Sequence, residues 1–178
     1  KSLVLFSNDL RLDDNDAINA SYSNSDESTF LFVFDEKLYK KTHGSANLWW
    51  LEQSLISLVN SLREKNIPLN IVEGEYVKTI VQIAEKYNFG SIYLNQNLHP
   101  DFIKVEKLLN KELSKINVDF NSFNKSTLVD PSTILNKSGE PYKVYSPFYK
   151  HCKSIYVQKQ VLNFPKNPFK IFNLSYFQ

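Results

Sequence analysis

Reactive side chains are sparse in this chain. His43, His99 and His151 stand on three separate segments with no metal-ligand spacing between them, so each reads as an exposed or hydrogen-bonding histidine and no metal is expected. Cys152 is the single cysteine, which excludes an internal disulfide and any zinc site built on cysteine pairs. His151 is its neighbour, but adjacent helical positions do not face each other, so a structural thiol is expected rather than a nucleophile. The carboxylate pairs Asp13-Asp14 and Asp35-Glu36 fall where a helix cap and a strand end already account for them. Gly44, Gly74, Gly90 and Gly139 are isolated, leaving no G-x-G-x-x-G turn or Walker loop to cradle phosphates. No catalytic residue is expected in this chain.

What remains is a set of polar, planar side chains at predicted strand ends. Asn8 and Asp9 follow the first apolar run, Phe34 and Asp35 the second, and Asn95-Gln96-Asn97-Leu98-His99 a later one. Amide donors and acceptors clustered in that way suit recognition of a flat heterocycle rather than acid–base chemistry.

The elements that carry these residues follow from hydrophobic periodicity. Buried strands are predicted at Leu3 to Ser7, Thr29 to Phe34, Leu69 to Val72, Ile92 to Leu94 and Val118 to Phe123. Between them, helices are predicted from near Asp16, from Ser45 to Lys65, from Tyr76 to Tyr87 closed by Gly90, and from Pro100 along the stripe Phe102, Val105, Leu109, Leu113 and Ile116. A polar loop is predicted through Lys40 and Gly44. The alternation implies a doubly wound α/β domain, Rossmann-like, with a five-stranded, mostly parallel sheet and helices on both faces. Ligands in such folds bind at the carboxyl ends of the strands, which is where the polar residues fall. Beyond Asn124, Tyr142 to Tyr145 reads as extended, and Ser146-Pro147 as the cap and first-turn proline of a last helix. Pro165 and Pro168 then forbid a regular helix, while Phe164, Phe169, Phe172, Tyr176 and Phe177 are too apolar for a free linker, so this extended tail is expected to lie on something, which need not be part of this chain.

With 178 residues, 42% hydrophobic and 14% aromatic, one domain with a substantial core is expected. The net charge of +2 is spread without a basic run, so no tight nucleic-acid binding is expected from this segment alone. No stretch is apolar and long enough to span a membrane, and the lone cysteine suits a reducing, cytoplasmic compartment. The chain opens at Lys1 and contains no methionine, which suggests a piece of a longer protein.

The run Leu5-Phe6-Ser7-Asn8-Asp9-Leu10-Arg11-Leu12-Asp13-Asp14-Asn15 closely resembles the opening motif of the photolyase and cryptochrome family. Trp49 to Leu62 is similar to its second helix, and Ile92 to Pro100 to its strand and loop ending in proline. Gly139 to Lys150 is similar to its stretch before the inter-domain connector. The resemblance implies a photolyase-type N-terminal α/β domain over residues 1–160 that binds an antenna chromophore, with a connector beginning at 161–178. It also implies a larger helical domain, outside this chain, that holds FAD and a flipped-out pyrimidine dimer. Damaged DNA would then be bound through that missing domain. The antenna would be methenyltetrahydrofolate or an 8-hydroxy-deazaflavin, with Phe34, Asp35, Asn97, His99, Asp101 and Arg11 as its pocket. Asp101 matches the acid of the folate-binding pair at the start of the fourth helix, Asn97 and His99 match acidic positions of deazaflavin-type members, and Arg11 is retained. Ser7 and Asn8 replace two arginines. The implied activity of the parent protein is that of a deoxyribodipyrimidine photo-lyase; a cryptochrome-like photoreceptor domain and a free-standing heterocycle-binding domain are the alternatives.

Overall fold

The computed structural model describes residues 1–124, 127–158, 161–166 and 169–174. Five short runs rich in aliphatic and aromatic residues form one parallel sheet. They are β1 (Ser2–Phe6), β2 (Ser28–Phe34), β3 (Leu69–Glu73), β4 (Ser91–Asn95) and β5 (Asp119–Phe123), in the order β3-β2-β1-β4-β5. Ser2 pairs with Ser28 on one side and Ser91 on the other, so β1 is central. Every residue of β1 is buried, whereas the edge strands β3 and β5 carry the polar residues that an open edge tolerates. Strand order reverses between β1 and β4, which opens the ligand crevice of this architecture at their carboxyl ends.

The helices are α1 (Asp16–Asn24), α2 (Glu36–Thr42), α3 (Ser45–Arg63), α4 (Tyr76–Tyr87), α5 (Pro100–Lys115) and α6 (Tyr145–Ile155). Asn15 caps α1 by accepting the Ile18 N–H at 3.1 Å. Asparagine also ends helices here. Asn66, Asn88 and Asn117 lie just past α3, α4 and α5 with φ of 58°, 54° and 55°, the left-handed turn that asparagine accepts more readily than most residues. Gly90 therefore does not close α4; Asn88 does, and the Phe89 N–H bonds to Ala84 O at 3.0 Å. Among the described residues, no helix is long and apolar enough to cross a membrane.

Expectations at two further places are corrected. The predicted polar loop through Lys40 is helix α2. Ser146-Pro147 does not cap the last helix but sits inside its first turn, with Val144 at the cap, and no strand forms over 142–144, where the chain bends at 143–144. The tail does lie on something, as expected, and the surface is within this chain. Phe164, Phe169, Ile171, Phe172 and Leu174 pack on this domain's own core, and the Ser28 N–H bonds to Lys170 O at 2.9 Å while the Phe172 N–H bonds to Ser28 O at 3.1 Å. Phe169 sits edge-on to Phe30 and Tyr22, with ring centroids 5.3 and 5.0 Å away. Pro168, Tyr176 and Phe177 lie outside the described residues.

Candidate functional site

Asn95, at the carboxyl end of β4, ties the point of strand reversal together. Its Nδ2 donates to Asp9 Oδ2 at 2.6 Å and to Asn15 Oδ1 at 2.8 Å, and its Oδ1 accepts the Ala17 N–H at 3.3 Å. Asp9 Oδ1 also accepts the Ser7 N–H at 3.1 Å. The loop after β1 is thereby locked to β4 by an amide that uses both of its donors and its oxygen. Arg11 donates through Nε and Nη2 to the backbone carbonyl of Asp14 at 3.1 and 2.8 Å, so its partner there is a main-chain oxygen rather than a carboxylate.

The crevice beside this lock is filled by α2. Asp35 builds that helix, accepting the Leu38 N–H on Oδ1 at 3.0 Å, and its Oδ2 accepts the Tyr76 N–H that opens α4, also at 3.0 Å. One carboxylate thus seats two helices. The helix then delivers Tyr39 into the interior with no exposed surface. Its ring stacks on Phe34 at 5.4 Å and meets Phe32 at 5.6 Å and Phe102 at 5.5 Å. The Tyr39 hydroxyl has no hydrogen-bond partner among the described residues. Burial, and then the negative charges of Asp9 and Asp35, push its pKa far above the ordinary phenol value. Tyr76 is pushed the same way by burial, Tyr39, Glu106 and Asp9.

On the other side of Tyr39 lies the loop from β4 to α5. Glu106, buried on α5, accepts the Asn97 N–H at 3.0 Å on one oxygen and the Ser122 hydroxyl at 3.2 Å on the other. Burial raises its pKa, against those two hydrogen bonds. Asn97 Oδ1 accepts the His99 N–H at 3.0 Å, and the Asn97 amide nitrogen is buried without a partner among the described residues. His99 caps α5, its Nδ1 accepting the Asp101 N–H at 3.3 Å. The Asp101 carboxylate meets Lys41 Nζ at 3.0 Å and Lys104 Nζ at 3.6 Å, and its pKa is lowered chiefly by the hydrogen bond from Lys41. His43 ends α2 with Nδ1 2.8 Å from Thr42 Oγ1; partial burial, and more weakly the neighbouring His99, hold its pKa down.

The structure therefore brings His99 and Asp101 together with Lys41 and His43 of α2. Phe34 stacks on the Tyr39 ring and Asp35 caps α2, while Arg11 shares with His43 a cleft that does not include His99 or Asp101. Sequence reasoning missed Tyr39, Lys41, His43 as a site residue, and Glu106. A signal for α2 was available: Asp35 as a capping residue, Glu36 in the first turn, Lys40 paired to it, and Lys41 in the last turn. Glu106 gives none, because its burial depends on β5.

Two cavities adjoin the site. A cleft of about 450 Å³ is lined by Asn8, Arg11, His43, Asn47, Trp50 and Leu51, among others. A largely apolar groove of about 790 Å³ runs between α3 and the β2–β3 edge along Phe34, Leu48, Leu55, Val59 and Ile71. Leu51 lines both, so they adjoin at that side chain. Among the described residues no three His, Cys, Asp or Glu side chains converge as metal ligands.

An open parallel sheet with its polar loops and cavities gathered at one end belongs to the ligand-binding α/β class. The chain belongs to the DNA photolyase family, whose model matches residues 2–168. A deoxyribodipyrimidine photo-lyase of Agrobacterium fabrum is 28% identical over 148 residues, covering 83% of this chain and 30% of that protein. A cryptochrome DASH of Synechocystis is 28% identical over 138 residues, covering 74% and 28%. Among solved structures, a class III photolyase from Agrobacterium tumefaciens matches with a TM-score of 0.81 at 25% identity, over 97% of this chain and 36% of that one. An archaeal photolyase from Sulfolobus tokodaii, described with two FAD molecules, matches with a TM-score of 0.77 at 22% identity, over 96% and 38%. The chain thus spans about a third of the length of these relatives.

Proposed function

We propose that this chain is the antenna-binding part of a deoxyribodipyrimidine photo-lyase, with flavin-driven splitting of pyrimidine dimers carried out by the remaining two thirds of the protein. The observation that carries the antenna role is the adjoining pair of cavities at Leu51, one apolar and one polar. Their volumes fall within the roughly 300–1,000 Å³ of small-molecule sites. A flat ring system fits the apolar groove against Phe34, Leu48 and Leu55. A polar appendage fits the cleft, where Asn8, Asn47, His43 and Arg11 offer amide, imidazole and guanidinium groups and Trp50 offers a face for stacking. Methenyltetrahydrofolate and 8-hydroxy-deazaflavin both have this character; either, once bound, would supply light absorption and pass excitation to the flavin. Asp35, Asn97, His99 and Asp101 then act as the frame that holds α2, and with it His43, at the rim. The lone Cys152 suits a cytoplasmic setting.

Titrating the 178-residue chain with each chromophore tests this, read by its absorption and fluorescence. Saturable binding of one of them is expected, abolished by Leu55→Trp, which fills the groove, and weakened by Arg11→Ala and Asp101→Ala. Binding of neither would refute the reading. Blue-light repair of dimer-containing DNA is expected from the full-length parent and not from this chain by itself. The matches to cryptochromes of Arabidopsis favour a second reading, a photoreceptor without repair activity, which the same assay on the parent separates.

A further inference from the structure

The loop after β1 is held from two directions. On its inner side Asn15 Nδ2 donates to the Arg11 carbonyl at 2.9 Å, and Asn15 is itself bonded to Asn95 of β4. On its outer side, at the exposed residues Asp13 and Asp14, it is held by the tail. The Asp14 N–H donates to Leu162 O, and the Phe164 N–H donates to Asp13 Oδ1 at 2.9 Å, a contact between residues 151 positions apart. Asp14 turns left-handed here, with φ of 51°, a conformation that aspartate accepts more readily than most residues. It gives its N–H to the tail and its carbonyl to Arg11, which donates to it through Nε and Nη2. One residue thus stands between the tail and the guanidinium.

A guanidinium carries five donors in a fixed fork. Asp14 O takes the edge formed by Nε and Nη2, which leaves the edge formed by Nη1 and Nη2 for a second partner, and no carboxylate pairs with Arg11 among the described residues. Such an edge fits the two oxygens of a carboxylate or phosphate. Arg11 lines the polar cleft with His43, Asn47 and Trp50, and Asp9, the carboxylate that lines the same cleft, is engaged by Asn95 and Ser7. From these bonds we infer that Asp13 and Asp14 are positioning residues that couple the tail to the polar cleft: the seat of residues 162–164 sets how Arg11 presents its free edge to an anionic group of the ligand. The ligand rests on the antenna reading above; the coupling between tail and guanidinium does not. Because such coupling is reciprocal, affinity in the cleft and the path of the chain beyond residue 161 depend on each other.

Nuclear magnetic resonance of the 178-residue chain labelled with ¹⁵N-arginine tests the coupling directly. The sequence has two arginines, and Arg63 is an exposed reference without an ion pair among the described residues. The Arg11 Nε–H should exchange with solvent more slowly than that of Arg63. Asp13→Ala should speed the Arg11 exchange about two- to tenfold, the scale of one net hydrogen bond, and leave Arg63 unchanged. Asp13→Asn, which has the same charge as the Ala variant but keeps the acceptor, should stay near the starting rate. Affinity for the chromophore should weaken over the same range in Asp13→Ala and not in Asp13→Asn, and Asp13→Ala should add nothing once Arg11→Ala is present. Circular dichroism melts of each variant check that the domain stays folded. An Arg11 signal that ignores Asp13→Ala, an Asn variant that behaves like the Ala variant, or a loss of affinity that persists in the Arg11→Ala background would each overturn the inference. So would a bound chromophore whose affinity ignores Asp13→Ala. Binding of neither chromophore, with an Arg11 signal that follows Asp13, would refute the antenna reading and support the coupling.

Discussion

Tyr39 offers a test in which removing an atom should strengthen the protein. Its ring is fully enclosed by Phe32, Phe34 and Phe102, and its hydroxyl is buried without a hydrogen-bond partner among the described residues. A buried, unpaired hydroxyl keeps the full cost of leaving water, about 1–3 kcal/mol from mutational data. Tyr39→Phe removes that cost and leaves the ring contacts in place, and the small void left by the oxygen offsets part of the gain. We expect a net stabilisation of about 1–2 kcal/mol. For a domain of this size about 2–4 °C corresponds to each kcal/mol, so the melting temperature should rise by about 2–8 °C. Tyr39→Ala is the control, because losing the whole ring from a closed site costs about 3–5 kcal/mol and should lower the melting temperature by 6 °C or more. Thermal melts followed by far-ultraviolet circular dichroism at neutral pH read both, and the Phe effect should not change with pH because the phenol stays protonated throughout. A lower melting temperature for Tyr39→Phe would refute the reasoning, since it would mean that the hydroxyl is engaged.

Asp35→Ala withdraws acceptors from the starts of both α2 and α4; at about 0.5–2 kcal/mol for each cap, a loss of about 1–4 kcal/mol is expected in urea unfolding, with Asp35→Asn in between. A loss below 0.5 kcal/mol would show that neither bond matters. Glu106 holds a proton in the folded state at pH values where the unfolded chain has released it, because burial raises its pKa above the ordinary 4.5. Stability should therefore fall as pH rises from about 4.5 through the raised value and level off above it; Glu106→Gln, which can still accept from Asn97 and donate to Ser122, should flatten that fall in urea midpoints measured from pH 4 to 7. Phe172 packs on Tyr87 and Phe89 with Lys1 Nζ 3.9 Å from its ring centroid, so Phe172→Ala should cost about 1.5–3 kcal/mol. A chain cut after residue 160 that melts at the same temperature as the whole would contradict the view that the tail belongs to this folding unit.

Much of the scaffold was legible because its elements are amphipathic over several turns or uniformly apolar. Helix α4 has the predicted bounds, and β1 and β2 start within one residue of theirs, since Ile80, Ile83 and Ala84 repeat at helical spacing and the strands are runs of Leu, Val and Phe. Helix α2 was not legible from periodicity: seven residues with four charges carry only Leu38 and Tyr39 inward, and its formation depends on Asp35 and on the Phe34 and Phe102 rings that Tyr39 enters. The candidate site suffered most from this, because the crevice expected between Phe34 and Asn97 is occupied by that one tyrosine. The role of Asp35 at α4 and of Glu106 at β5 depends on contacts 41 and 16 residues away, which no local pattern encodes. The tail was correctly read as too apolar to be free, but its resting place at Ser28 is a tertiary fact.

The central position of β1 has a consequence for how the chain is made. Ser2 must wait for Ser91 before its second edge is paired, 89 residues later. At a synthesis rate of about 5–20 residues per second, that is an interval of roughly 4–18 s in which the nascent β1–β2–β3 half presents Leu3-Val4-Leu5-Phe6 as an open apolar edge. Until β4 is made, the strand that ends up deepest in the finished protein lacks its second neighbour, and it is along that strand that the ribosome-bound chain is open to chaperones or to another copy of itself.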